Sequence, residues 1–222
     1  MRRLATILLF ASLPCLAEEP KDAAARKEFE ALEKRLSEAK TLRVVCKASA
    51  EGPRKDIHDT TLVLAAGGKA RVEFNWKRAD GMALVATYIS DGARMWKEPD
   101  VDKAKKTPEG LSPALARAFA RAGVLALSGV SATFQSGGAA PDPGAHAISE
   151  VTAGDADGKT TEIRYTVNAG KPDAMKVRLW LDAKTKTPVK RSMDVAGWVL
   201  VETYEAFEIG GKLDPALFQP GR

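Results

Sequence analysis

KVRLWLDAKTKTPVKRSMDVAGWVLVETYEAFEI, residues 176–209, is the stretch whose reading decides the fold. Val177, Leu179 and Leu181 alternate with Lys176, Arg178 and Trp180, the period-two pattern of a strand with one buried face. Residues 182–187 make a polar turn, and Pro188 opens the next strand, where a missing N–H costs little. Residues 197–209 read as a longer strand, with Val199, Val201, Thr203, Phe207 and Ile209 on one side and Trp198, Leu200, Tyr204 and Ala206 on the other. Apolar groups on both sides imply a strand between two layers, or one that lines a cavity with one face and backs onto a helix with the other.

Outward from this stretch the same alternation recurs. Strands are expected at 147–153 and 160–167, and Asp214-Pro215 starts a short helical turn within 213–218. Nearer the N-terminus, Ala25, Phe29, Leu32 and Leu36 recur at spacings of three and four, so 22–40 reads as an amphipathic helix with Asp22 as its cap. The period then changes to two over 41–50, with Leu42, Val44 and Cys46 on one face. Residues 59–66 and 69–76 form a hairpin around Gly67-Gly68, and 82–90 and 93–97 are strands joined at Asp91-Gly92. Leu115, Phe119, Val124 and Leu127 place a second helix at 113–127, with Ser112 as N-cap and Pro113 in the first position. Residues 129–146, rich in Gly, Ala and Pro, read as a long loop. The sum is an α+β chain: one large curved antiparallel sheet forming an incomplete, half-open β-barrel, covered or plugged by one to three helices.

Arg2 and Arg3 followed by apolar residues 4–13 and a small-residue site at 15–17 have the form of a secretory signal, with cleavage after Ala17. The organisation expected is a signal peptide at 1–17 and a single domain over 18–222, exported to a bacterial periplasm. Loss of Arg2 and Arg3 lowers the net charge from +5 to +3, a mild excess with no concentrated nucleic-acid-binding patch. Only Cys46 then remains, so no intramolecular disulfide forms and an ordinary core supplies stability.

Catalysis requires a nucleophile, a base and an orienting group within reach of one another. His58 reads as part of a polar turn and His146 falls in the Gly/Pro-rich loop; neither has a neighbouring nucleophile or metal-ligand spacing. Cys46 alternates with core positions. Gly67-Gly68-Lys69 lacks the rest of a phosphate loop, and the lysine-rich run 103–106 reads as a solvated connection. No enzymatic activity, metal or cofactor is expected.

Four motifs taken together, the helix leading into 41–50, GGKARVEF (67–74), YISDGARMW (88–96), and LWLDAKTKTPVKR (179–191) with ETYEAFEIGGKLDPALF (202–218), resemble the periplasmic lipoprotein carrier and receptor superfamily, the LolA/LolB-like fold. The resemblance runs in order along nearly the whole chain. It implies a concave apolar face, covered by helices, that holds acyl chains of a lipoprotein or lipid. It also brings Arg71 nearest to a basic residue that the carriers use in lid movement. The chain departs from the carriers in having Ala65, Ala66, Ala70 and Ala83 in place of a run of bulky aromatics. The residues nominated for the ligand cavity are Arg71, Phe74, Trp76, Tyr88, Trp96, Leu115, Phe119, Trp180, Trp198 and Tyr204. Whether Trp180 lines the cavity or packs beneath a helix is open at this point. Two functions stay in contention: a monomeric non-enzymatic carrier of a hydrophobic ligand, served by a membrane-associated delivery or receptor protein, and a sensor or protein-interaction module on the same scaffold.

Overall fold

A computed structural model describes residues 20–52, 57–78, 80–98, 105–106, 148–172, 174–195 and 197–221. One helix, α1 (Lys21–Glu38), precedes six strands: β1 (Thr41–Glu51), β2 (Ile57–Ala65), β3 (Lys69–Lys77), β4 (Ala83–Asp91), β5 (Arg94–Glu98) and β6 (Lys105–Lys106). Five more follow, β7 (Ile148–Ala156), β8 (Thr160–Val167), β9 (Met175–Asp182), β10 (Pro188–Val195) and β11 (Trp198–Ile209), and a 3-10 turn at Pro215–Phe218 comes last. The signal segment 1–17, the helix expected at 113–127 and the loop at 129–146 lie outside the described residues.

All eleven strands belong to one antiparallel sheet in the order β6, β5, β4, β3, β2, β1, β11, β10, β9, β8, β7. Each half is a meander, as expected for strands joined by short turns. β1 and β11 pair at the centre and join the two halves. Among the described residues the sheet is open: β6 and β7 are its two edges and do not pair with each other.

One face of the sheet carries the core. Leu42, Val44, Cys46, Ala48 and Ala50 of β1, Leu62 and Leu64 of β2, Ala70, Val72 and Phe74 of β3, Ile163, Tyr165 and Val167 of β8, and Val177, Leu179 and Leu181 of β9 all point the same way into one cluster. α1 adds Phe29, Leu32 and Leu36 to it and packs chiefly on β7, with Phe29 lying 4.9 Å from the ring of Tyr165. Burial of each such Leu stabilises the fold by roughly 1.5–3 kcal/mol. Two polar fastenings tie the helix to the β9–β10 turn. Arg35 donates to the carbonyls of Thr185 and Lys186 in the β9–β10 turn, and Lys186 in turn pairs with Glu28 at 2.8 Å.

Asp22 does not cap the helix. Pro20 occupies the N-cap, and the Asp22 carboxylate accepts the N–H of Ala153 in β7 at 2.9 Å, so it fastens the helix to the sheet edge. The face assignment of β11 also needs correction. Val45 opposes Ala206 but Cys46 opposes Tyr204, so Glu205 is an extra residue, a β-bulge. Leu200, Glu202 and Tyr204 therefore share the core face with Phe207 and Ile209, while Val199, Val201, Thr203 and Ala206 face the other way. Residues of both parities, Leu200 and Tyr204 before the bulge and Phe207 after it, thus belong to one row on the core face.

On the opposite face the C-terminal turn packs over β3 and β4, with Asp214 capping it through the N–H of Ala216. Val63, Arg71, Ile89, Trp96 and Phe218 are buried on that side, outside the main core cluster. The outer face thus has a small second core of its own.

Candidate functional site

The core face differs between its two ends. Under β8 to β11 it is tightly closed, with Ile163, Leu179 and Leu181 at 0–1% exposure. Toward the β3–β4 end it opens. Trp76 and Tyr88 are half-buried, and Leu84, the register partner of Trp76, is 38% exposed. There His58 stacks on Trp76 with centroids 5.7 Å apart, and Phe74 stacks on Tyr88 at 6.0 Å. Ile57, Met82 and Val85 surround this end as exposed apolar side chains. His58 is consequently not a solvent-exposed turn residue: it belongs to β2 and is buried against the indole.

Of the ten nominated residues, Phe74, Trp76, Tyr88 and Tyr204 lie on the core face. Three others do not. Arg71 alternates out of the core row, pairs with Glu73 at 2.5 Å and is buried in the outer second core, so it does not face the concavity. Trp96, register partner of Ile89, sits beside it on the same outer side. Trp180 also faces outward, held between Arg178 and Lys190, each cation 4.9 Å from the ring centroid. The cause is common to all three: a side chain one residue out of phase with its apolar neighbours goes to the other face. Leu115 and Phe119 lie outside the described residues, as does the side chain of Trp198.

At the centre of the closed half sits a buried ion pair. Arg191 of β10 and Glu202 of β11 are direct register partners, Arg191 Nε lies 3.1 Å from Glu202 Oε2, and both side chains are 0–2% exposed. The Tyr204 hydroxyl donates to the same Oε2 at 2.7 Å. Burial pushes the Glu202 carboxyl above its usual range, an effect that Arg191 and the Tyr204 hydrogen bond oppose. Arg191 stays charged: burial works against its charge, but Glu202, Tyr204 and Tyr165 together more than offset that cost. Cys46, beneath them on β1, is buried and its thiol is pushed far up, chiefly by desolvation and then by Glu202, so it is an inert core thiol.

These two charges carry a pattern in the sequence that pairwise reading misses. Arg191 has the same parity as Met193, and Glu202 lies between Leu200 and Tyr204, so each charge occupies an apolar row. A charge at apolar parity on two consecutive strands is the available signal.

Among the described residues no group of three or more His, Cys, Asp or Glu is placed to hold a metal ion. Among the same residues no helix is long and apolar enough to cross a membrane.

No protein-family model matches the chain, and no curated protein matches it. Solved structures do. The chain is similar to the lipoprotein LppX of Mycobacterium tuberculosis, at 13% identity over 87% of this chain and 98% of that one with a TM-score of 0.47. It is similar to LprF of Mycobacterium bovis at 13% identity, 86% and 95% coverage and a TM-score of 0.47. It is also similar to a putative outer membrane lipoprotein-sorting protein domain of Vibrio parahaemolyticus at 10% identity, 86% and 95% coverage and a TM-score of 0.31. With TM-scores below 0.5, none of these assigns a role to this chain.

Proposed function

We propose that this chain is a non-enzymatic periplasmic binding or carrier protein that holds a hydrophobic ligand, the acyl chains of a lipoprotein or lipid, against the core face of its sheet. The observation that carries this is the opening of a continuous apolar face to solvent at the β3–β4 end, through Trp76, Tyr88 and exposed Leu84. An open sheet of eleven strands curls, which makes such a face concave. Each methylene buried there stabilises binding by about 0.8 kcal/mol, so acyl chains are held without polar chemistry.

The second reading, a sensor or protein-interaction module, is favoured by the tight closure of the β8–β11 half and by the half-exposed Trp180 between two cations on the outer face. Tryptophan and arginine dominate protein interface energetics. Native mass spectrometry with lipid extraction, on the mature protein purified from a periplasmic fraction, separates the two. Co-purifying lipid or acylated peptide is the expected result. A clean apo mass, with no uptake of a fluorescent fatty acid, transfers the assignment to the interaction module.

A further inference from the structure

The ion pair at the centre of the core face is incompletely satisfied. Arg191 Nε lies 3.1 Å from Glu202 Oε2 as an ion pair, and the Tyr204 hydroxyl donates to that oxygen. None of the three guanidinium nitrogens of Arg191 makes a well-formed hydrogen bond, and neither does Glu202 Oε1 or the Tyr165 hydroxyl of β8, which bears on Arg191 electrostatically. Arg191 is 1% exposed and Tyr165 2%. A buried donor without an acceptor costs about 1–3 kcal/mol, and a guanidinium edge presents its donors in a fork matched to two oxygens. Leu179, the register partner of Arg191, Met193, and Phe29 on the ring of Tyr165 are their apolar neighbours, and the acidic groups Glu202 and Glu33 also act on Tyr165.

From this geometry we infer that Arg191 and Tyr165 form a head-group anchor: the Nη1/Nη2 edge and the phenol hydroxyl receive the oxygens of an acidic amphiphile whose chains lie on the apolar face. The shared chemistry is an oxyanion, supplied by a fatty-acid carboxylate or by a phosphate ester. Glu202 supplies the counter-charge beside Nε and leaves the Nη1/Nη2 edge for the ligand. Two or three charge-assisted bonds inside a low-dielectric face discriminate strongly for acid over alcohol, whereas apolar burial alone discriminates only by chain length. The inference rests on the carrier reading and adds the class of head group to it.

The test uses delipidated mature protein and three probes of equal chain length: palmitate, hexadecyl phosphate and hexadecanol. Wild type is expected to bind at least one acid ten-fold or more tighter than the alcohol, and the acid preferred names the source. Arg191→Met/Glu202→Gln, which leaves no unpaired buried charge, removes that preference while alcohol binding stays within about two-fold. Tyr165→Phe keeps the ion pair and the ring, and lowers acid affinity three- to ten-fold. Equal binding of acids and alcohol by wild type overturns the anchor and leaves the carrier reading standing. Preference retained in both variants overturns it as well, and marks the far side of Arg191 as a site for water only. Failure of wild type to bind any of the three probes overturns the carrier reading and the anchor with it.

Discussion

Among the described residues, two cross-strand arginine–glutamate centres have a fully buried carboxylate, and they behave in opposite ways. On the outer face Glu162 is gripped by Arg178, through Nε at 2.7 Å and Nη2 at 3.0 Å, and by Arg164 Nε at 2.7 Å. The carboxylate is 1% exposed, but its two partners are 51% and 45% exposed and reach water. Gly154 on β7 makes room for it, since a Cβ there would come within 2.5 Å of the Glu162 side chain. Arg178 above all, with Arg164, holds its pKa down to about 2 against the cost of burial. On the core face Glu202 has one arginine and one tyrosine, is buried together with them, and has a pKa displaced upward. A carboxylate hidden beneath hydrated guanidinium groups is stabilised as an anion; one buried together with its partner is not. The outer centre is therefore a clasp. The inner one keeps buried polar atoms of Arg191 and Tyr165 without hydrogen-bond partners, which is why it is the candidate anchor.

The comparison is broken most directly at the inner pair. Arg191→Met should cost about 3–5 kcal/mol by leaving a buried carboxylate without its counter-charge, while Arg191→Met/Glu202→Leu should recover most of that loss. Guanidinium denaturation at pH 7 measures both. A single variant within 1 kcal/mol of wild type would show the pair to be hydrated.

Titration sharpens the contrast, because the two glutamates give opposite slopes. Glu162 has a folded-state pKa depressed from 4.5 to about 2, so its contribution is complete above pH 4.5 and is lost as pH falls toward 2. With its arginines half in water, that contribution is about 1–2 kcal/mol. Glu162→Gln should lose this much at pH 7 and nothing at pH 2 when stability is followed across that range. Glu202 is displaced the other way, so its ionisation lowers stability as pH rises above the usual carboxylate value, and Glu202→Gln should flatten that limb. Equal slopes in the two variants would erase the distinction between the centres.

The smallest effect belongs to the outer aromatic. Trp180→Ala removes a ring held between Arg178 and Lys190 and should cost about 0.5–1 kcal/mol of stability with no change in hydrophobic-ligand binding. A loss of ligand binding, read by fluorescent fatty-acid uptake, would place the ligand on the wrong face.

Strand existence was highly legible. Alternation in 41–50, 69–76 and 176–182, the Gly67-Gly68 and Asp91-Gly92 turns, and Pro188 at a strand start each match the structure within a residue or two. Their information is local: a hydrophobic row, a positive φ, a missing N–H. The candidate site was much less legible. Aromatic residues were nominated because bulky apolar groups line cavities, yet Trp96 and Trp180 are out of phase with the core row and went to the outer side. The two residues that matter most at the centre, Arg191 and Glu202, were passed over because charge normally marks a solvated face.

What the sequence by itself determined is the set of strands, the helix that precedes them, the hairpin turns and, where no bulge intervenes, which residues of a strand share a face. Periods of two and 3.6 and the backbone limits of Gly and Pro act over a few residues, so they are present in any short window. Tertiary structure alone decided that β1 and β11 meet at the centre of one sheet, that the single extra residue Glu205 flips the end of β11, and that Arg191, Glu202, Tyr165 and Tyr204 converge under the core face. The first two depend on pairing between segments more than a hundred residues apart and the third on register along the β8–β11 meander, and a one-residue shift in such pairing sends every side chain beyond it to the other face.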